Sequence, residues 1–185
     1  AGENGTASVA IPDKAITDAI AKAQSSAKAQ GKTTFSMGLN VAMPRGATSL
    51  TVVLTQSSLQ SLVNAGITSL EINDSPIIVS FDKKSLAEIR KQSSGDVTIT
   101  IKPARNLSVA AKKLIGSRPV YDITVSYVKN GKPLVISAFN GGITTISIPY
   151  KPGENEATGY LYGVYVDAKG NAARIEGSAY DANAR

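Results

Sequence analysis

The chain has 185 residues, of which 42% are hydrophobic, so it can form a folded core and is too apolar for a disordered segment. It contains neither cysteine nor histidine, which excludes disulfides, thiolate zinc sites, cysteine nucleophiles and triads of the serine–histidine–aspartate type. A formal net charge of +6 permits attraction to anionic polymers, although the lysines are dispersed as on an ordinary solvated surface.

The first half of the chain predicts short strands that alternate with short helices. After a flexible leader at 1–5, an alternating strand is expected at 6–11. Apolar residues then recur at helical spacing, which predicts a helix at about 13–30, the longest in the chain. Asp13 is the expected N-cap of this helix, and Gly31 the residue just past its end.

The order of strand, capping residue, helix and glycine occurs three times, at 6–31, 49–66 and 77–95. The spacing is irregular, so this is a recurring supersecondary theme without a fixed sequence period. Ser57 or Ser58 is expected to cap the second helix. Helices this short suit crossovers between sheets better than they suit a parallel α/β sheet. The other segments predicted in this half are strands at 33–43, 67–72 and 96–102, a turn at 73–76 and a fourth short helix at 108–114.

The strongest strand signal in the chain follows the turn residues Gly116 and Pro119. Here apolar and polar side chains alternate up to Tyr127, as in a strand with one buried face. The side chains predicted to be buried are those of Tyr121, Ile123 and Val125, and those predicted to be more exposed belong to Asp122 and Thr124.

The rest of the chain is predicted to be almost entirely β. The Asn130–Gly131 pair favours a tight hairpin turn. The later segments are a bend at 139–142, strands at 143–150, 160–167 and 172–177, a turn at 167–171 and an exposed tail at 178–185. The expected fold is therefore mainly β and sandwich-like, with short crossover helices. It forms one β-rich module over 1–185, and any subdivision is expected near 103–118.

Several ordered landmarks resemble a module found in large S-layer-homology surface proteins of Gram-positive bacteria. They are Gly-Asp-Val-Thr-Ile-Thr-Ile at 95–101, Gly-Ser-Arg-Pro-Val-Tyr-Asp-Ile-Thr-Val at 116–125, Phe-Asn-Gly-Gly at 139–142, Ser-Ile-Pro-Tyr-Lys-Pro-Gly-Glu at 147–154 and Tyr-Val-Asp-Ala-Lys-Gly-Asn at 165–171. The resemblance covers roughly 6–182. It implies an extracellular, noncatalytic β-rich module of a cell-surface or polysaccharide-acting protein, with no catalytic residues and no cofactor to transfer.

The chain departs from that family in two ways. Family members are often acidic, whereas this chain is basic, and they commonly continue past Tyr180 and Asp181 into one more strand that often ends in His-Phe-Ser. We therefore expect an open strand position near the 160–177 hairpin, filled by a strand from another segment or subunit. The leader around Asn4 to Val9 is one expected donor. The alternative is a chain cut short, with a solvated edge.

Two sets of residues are candidates for contact with a ligand or polymer. Tyr160, Tyr162 and Tyr165 could stack on sugar rings, although core or cross-strand packing is the simpler interpretation. Tyr160 and Tyr162 are expected to share one face of a strand, with Tyr165 on the other. The densest basic region could contact an anionic wall polymer, and without interleaved aromatic residues it does not predict a nucleic-acid site. It comprises Lys102, Arg105, Lys112, Lys113 and Arg118.

The acidic residues and serines do not predict an enzyme. The pairs Glu154 with Glu156 and Asp74 with Asp82 fall in turns or caps, where solvated carboxylates are the usual occupants. Oxygens at 73–75 and 167–171 could face Ca²⁺, but neither segment has the spacing of a calcium-binding loop. Ser57, Ser58 and Ser85 have no histidine to activate them. We therefore expect no metal and no catalytic site.

The sequence leads to two functional hypotheses. The first is a noncatalytic structural or assembly module of an extracellular bacterial cell-surface protein, which associates with other surface segments or with itself by strand addition. The second is an accessory module of a surface enzyme that binds a polysaccharide or a cell-wall polymer.

Overall fold

The computed structural model describes residues 5–42, 44–74, 77–167 and 169–183. Some residues of the predicted elements lie outside the described residues. They are the first four residues of the leader, Met43 of the strand at 33–43, Ser75 and Pro76 of the turn at 73–76, Ala168 of the turn at 167–171 and the last two residues of the tail.

The described part of the chain forms eleven strands in three sheets. The strands are β1 (Thr6–Ile11), β2 (Met37–Asn40), β3 (Ser49–Leu54), β4 (Ser69–Asp74), β5 (Ile77–Asp82), β6 (Val97–Pro103), β7 (Tyr121–Lys129), β8 (Lys132–Val135), β9 (Thr144–Ser147), β10 (Val164–Val166) and β11 (Ala172–Arg174). The helices are α1 (Asp13–Ala29), α2 (Gln56–Ala65), α3 (Lys83–Gln92), α4 (Val109–Ile115) and a 3₁₀ turn at Thr158–Tyr160.

The five-stranded sheet has the order β1-β3-β6-β7-β8, the four-stranded sheet β2-β4-β5-β9 and the two-stranded sheet β10-β11. β1 runs parallel to β3 and β2 parallel to β4. The pairs β3–β6, β4–β5, β5–β9, β7–β8 and β10–β11 are antiparallel. The prediction of a mainly β fold with short helices is confirmed.

The first three helices carry the chain between the two larger sheets. α1 leads from β1 to β2, α2 from β3 to β4, and α3 from β5 to β6, and each of these steps changes sheet. These crossover helices have 17, 10 and 10 residues.

The longest helix is α1, with 17 residues, as predicted. It buries Ile16, Ile20 and Ala27 on one face. The expected N-cap is wrong by one residue, because Asp13 is already helical and Pro12 occupies the capping position. At the other end, the Lys32 N–H donates to the Ala27 carbonyl at 2.9 Å and Gly31 has a φ of +67°. This is the Schellman arrangement that a glycine at this position favours.

The remaining helix caps follow simple local chemistry. Thr55 caps α2 by accepting the Ser58 N–H at 2.9 Å, so the expected caps Ser57 and Ser58 are wrong. Asp82 caps α3 in the same way at 2.7 Å, as its place before the third predicted helix indicates, and Ser108 caps α4 at 3.1 Å.

The core draws alternate residues from both larger sheets. β3 and β6 bury alternate apolar side chains, as β4 and β5 do in the other sheet, as expected for strands with one covered face. The buried side chains of these strands include Leu50, Val52, Leu54, Leu70, Ile72, Ile77, Val79, Phe81, Val97, Ile99 and Ile101.

β7 is less buried than its alternation predicts. Val125 is buried, but Tyr121 and Ile123 are only half-buried, so the prediction is wrong for these two residues. Asp122 is exposed as expected, and Thr124 is half-buried. β7 is less buried because it lies next to the end of its sheet. Its outer neighbour β8 is exposed along its whole length, so the core ends between these two strands.

Four predicted strands are shorter in the structure than in the sequence-based expectation. The segment at 160–167 contains only β10, because the 3₁₀ turn takes its first residue and the Gly163 N–H donates to the Ser178 hydroxyl at 2.9 Å. The predicted strands at 33–43, 143–150 and 172–177 shorten to β2, β9 and β11. The Asn130–Gly131 turn is confirmed, with φ values of 52° and 74° that suit a tight hairpin.

The chain divides into two compact units. The first comprises the chain up to Lys102 together with Asp122–Ile148, and contains the two larger sheets with α1, α2 and α3. The second comprises Pro103–Tyr121 together with the chain from Pro149, and contains α4, β10 and β11. The segment at 103–118, where a subdivision was expected, lies in the second unit. No helix among the described residues is long and apolar enough to cross a membrane.

Candidate functional site

The three candidate tyrosines lie in the second unit and face solvent. The exposed fractions are 82% for Tyr160, 49% for Tyr162 and 62% for Tyr165. The simpler interpretation was core or cross-strand packing, and core packing is therefore wrong for these rings. Tyr160 ends the 3₁₀ turn and Tyr162 precedes β10, so the expectation that the two share a strand face is also wrong.

Tyr162 has a cationic partner that the sequence analysis missed. The guanidinium carbon of Arg174 lies 4.6 Å from the centre of the Tyr162 ring, within range of a cation–π interaction. The β10–β11 register explains this contact, because it places Arg174 opposite Val164, two residues after the tyrosine. The hairpin predicted around the turn at 167–171 could have indicated this contact, because it pairs the segments that carry Tyr162 and Arg174. The result is an exposed aromatic ring beside a planar cation.

The turn between β10 and β11 is held by Asp167. Its carboxylate accepts the backbone N–H groups of Lys169 and Asn171 and the Asn171 side-chain amide, each at 2.8 Å. These hydrogen bonds, led by that of the Asn171 side chain, lower the pKa of Asp167. This carboxylate therefore organises its own turn. Among the described residues, no three acidic side chains lie close enough together to hold a metal ion.

The five candidate basic residues do not share one environment. Lys102 belongs to the first unit, where its Nζ lies 3.9 Å from the Asp122 carboxylate, and the other four belong to the second unit. Lys112 and Lys113 are exposed on the last turn of α4. Arg118 is engaged in an ion pair with Glu156. Only part of this predicted set therefore remains open to a polymer.

Glu156 is the centre of a polar cluster in the second unit. Its carboxylate accepts hydrogen bonds from the Tyr150 hydroxyl, the Gly153 N–H and the Arg118 guanidinium. The Tyr150 bond is the main cause of a lowered pKa for Glu156, and the same bond raises the pKa of Tyr150. Glu156 lies in a turn as expected, but its carboxylate is half-buried and paired instead of fully solvated. Glu154, by contrast, is exposed.

A second polar cluster ties the start of α1 to the start of α2. The Asp13 carboxylate accepts hydrogen bonds from the Thr55 hydroxyl and, at 2.7 Å, from the buried Ser58 hydroxyl. The Thr55 bond is the largest cause of a lowered pKa for Asp13. Ser85, the other serine considered as a nucleophile, donates to the Ile143 carbonyl at 3.0 Å. These serines therefore connect elements of the fold.

An open depression of about 440 Å³ lies in the first unit, between the end of α1 and the segment that follows it. Its walls carry small and hydroxylated side chains around Phe35, with Lys32 as the one ionisable lining residue. The Ser36 and Thr68 hydroxyls on this wall are hydrogen-bonded to each other at 2.8 Å. It offers polar contacts without a convergent acid–base pair, and the sequence contained no signal for it.

Comparison of the chain with models of protein families, with characterised proteins and with solved structures found no match.

Proposed function

We propose that this protein is a noncatalytic structural or assembly module of an extracellular bacterial cell-surface protein, and that it associates through its sheet edges. The support lies in the end strands of its sheets. Among the described residues, β1 and β8 end the first sheet, β2 and β9 the second, and the β10–β11 sheet has only two strands. A strand that ends a sheet presents unpaired N–H and C=O groups to any strand that approaches it.

One expected donor of an added strand is already paired within its own chain. Residues 6–9 belong to β1, which pairs with β3 over its full length, and Ala7 is buried. A strand added to an open edge must therefore come from elsewhere, either from another segment of the surface protein or from another copy of the chain.

The assembly function is tested by size-exclusion chromatography with light scattering over a wide range of protein concentration. We expect species heavier than the 19.2 kDa chain, with a mass that increases with concentration. A strictly monomeric protein over the whole range would contradict self-association. The proposed location is tested by labelling intact cells with an antibody against the protein, and a signal only in lysed cells would contradict it.

The stacked pair of Tyr162 and Arg174 favours a second candidate function, the binding of a polysaccharide or an anionic wall polymer. An exposed ring can stack on a sugar, and the neighbouring guanidinium can pair with a carboxylate or phosphate group of the polymer. Tyr160 and Tyr165 add further exposed aromatic surface in the same unit.

Pull-down on purified cell wall, cellulose and chitin tests this candidate. We expect the Tyr162→Ala and Arg174→Gln variants to lose retention on whichever polymer retains the parent protein. Lys129→Gln is the matched control, since it removes the same charge from an exposed residue of the other unit. Equal loss with Lys129→Gln would indicate a nonspecific effect of net charge.

A further inference from the structure

β9 is a short end strand that contains neither a charged residue nor a proline, two features that commonly protect a sheet edge. It pairs with β5 on one side, and no described strand pairs with its other side. The sequence from Pro133 to Tyr150, which contains β9, has no charged residue. β9 itself is rich in β-branched residues and has no proline, so it is well suited to form a further ladder.

The hydrogen-bond pattern shows which backbone groups of β9 are free to accept a partner. The Asp82 N–H donates to the Ile143 carbonyl at 3.1 Å, so these two residues form a hydrogen-bonded pair. In an antiparallel ladder such pairs alternate, and therefore Thr145 and Ser147 also direct their backbone groups towards β5. Thr144 and Ile146 direct their N–H and C=O groups away from the sheet.

Apolar side chains are exposed along the same edge. Ile143 is 66% exposed, Ile146 42% and Ile148 40%. Ile146 lies opposite the buried Val79, on the side of the sheet that faces the core. The core therefore ends at β9 with part of its apolar surface uncovered.

The other described edges of the two larger sheets are less suited to addition. The Ile136 N–H donates to the Val125 carbonyl at 2.8 Å, and the alternation from this pair turns the nitrogen of Pro133 towards the outer edge of β8. Pro133 has no N–H, and Lys132 adds charge beside it, which are two common protections of an edge. β2 is as short as β9 but contains a glycine, and β1 has no exposed large apolar side chain.

We propose that β9 pairs antiparallel with β9 of a second copy of this chain, about a twofold axis at Ile146. This inference rests on the proposed assembly function and names its edge and its partner. The pairing joins the two four-stranded sheets into one continuous sheet, and it brings Ile146 of one copy against Ile146 of the other.

Two properties of the edge suit a second copy as the partner. In this register Thr144 lies opposite Ile148 of the other copy, and Ile146 lies opposite Ile146 of the other copy. Residues whose backbone groups point away from β5 therefore face each other across the twofold axis, as a hydrogen-bonded ladder requires. In addition, each copy has a net charge of +6, and approach through a charged edge would bring like charges together. The uncharged stretch around β9 avoids that repulsion.

The first test adds charge to β9. Thr145 and Ser147 are exposed, so Thr145→Lys with Ser147→Lys places lysines opposite each other in the dimer without burying a charge in the monomer. We expect light scattering to show the parent as a dimer and this variant at the monomer mass. Val135→Lys is a control, because it adds one lysine to the exposed end of the β8 edge and should leave the dimer intact.

The second test reports the register. In the proposed dimer residue 145 forms a non-hydrogen-bonded pair with residue 147 of the other copy, with about 4.5 Å between Cα atoms, a distance that a disulfide spans. The natural chain has no cysteine. We expect Thr145→Cys with Ser147→Cys to form a covalent dimer on mild oxidation, and Thr145→Cys alone to form none.

The outcomes separate the proposal from the function on which it rests. A parent that is monomeric at every concentration would overturn both. A parent and lysine variant that assemble equally would overturn the role of β9 and leave assembly through another edge. A dimer of the double-cysteine variant that does not cross-link would overturn the register. Far-ultraviolet circular dichroism and the Tm of each variant establish that it is folded.

Discussion

The Glu156 carboxylate connects parts of the second unit that are distant in sequence. It joins Arg118, which follows α4, to Tyr150 and Gly153. A carboxylate that accepts three hydrogen bonds is stabilised in its ionised form, which is why its pKa lies below the ordinary value. The ion is more stable in the folded than in the unfolded chain, and this difference makes folding depend on pH.

The first prediction follows from the sign of that shift. A lowered folded-state pKa contributes stability above the unfolded-state pKa, and the contribution is lost as the pH falls through the folded-state value. We expect Glu156→Gln to be less stable than the parent at neutral pH, and the difference to shrink at about pH 3. Urea denaturation at both pH values measures it. Glu154→Gln, on an exposed carboxylate, is the control. A deficit for Glu156→Gln that does not change with pH would contradict the assignment.

Gly170 carries a second prediction at the level of one residue. Its φ is +83°, and a Cβ at this position would overlap the side chain of Ser108, the cap of α4. Gly177 also has a positive φ, of +72°, but a Cβ there would meet no atom within 4 Å. Both alanine variants incur about 1–2 kcal/mol of backbone strain. We expect Gly170→Ala to cost about 1–3 kcal/mol more from overpacking.

Denaturant unfolding of the two glycine variants gives this difference directly. Equal stabilities for Gly170→Ala and Gly177→Ala would show that the turn at 167–171 does not pack against the start of α4.

At the level of a whole strand, β7 permits a comparison of two identical side chains. Val125 is 5% exposed and Val128 is 57% exposed, on one strand. We expect Val125→Ala to lower the free energy of unfolding by about 1–3 kcal/mol, because it leaves a cavity in the core. Val128→Ala should change it by less than about 0.5 kcal/mol. Similar values from chemical denaturation would mean that the core does not end at this strand.

The same strand shows what the sequence can and cannot predict. Alternation identifies the two faces of a strand, but it does not say whether a neighbour covers the apolar face, and this is why Tyr121 and Ile123 are only half-buried. Local features are more predictable, because a cap such as Asp82 or a turn such as Asn130–Gly131 depends on a few adjacent residues.

Contacts between distant residues were the part that sequence reasoning missed. Arg174 reaches Tyr162 only because the hairpin register aligns them, and Arg118 and Glu156 are 38 positions apart. Residue type alone placed Tyr162 and Arg118 among the candidates, but it could not separate an exposed stacked ring from a packed one, or an open cation from a paired one.

For the molecule as a whole, the two compact units suggest two unfolding events. Calorimetry should show two thermal transitions, because each unit has its own set of internal contacts. Val125 belongs to the first unit and Gly170 to the second. We therefore expect Val125→Ala to lower the Tm of one transition and Gly170→Ala that of the other. A single transition that both variants shift equally would mean that the units unfold together.

The order of strands in the four-stranded sheet has a consequence for how the chain reaches its fold. β4 and β5 are neighbours in sequence and can pair early, whereas β9 joins β5 only after β6, β7 and β8 have been added to the chain. Until then, the side of β5 that later receives β9 has no native partner. Long-range pairing of this kind slows folding and prolongs the exposure of an unfinished sheet. The interval before β9 docks is therefore when a newly made chain is most vulnerable to mispairing with other strands.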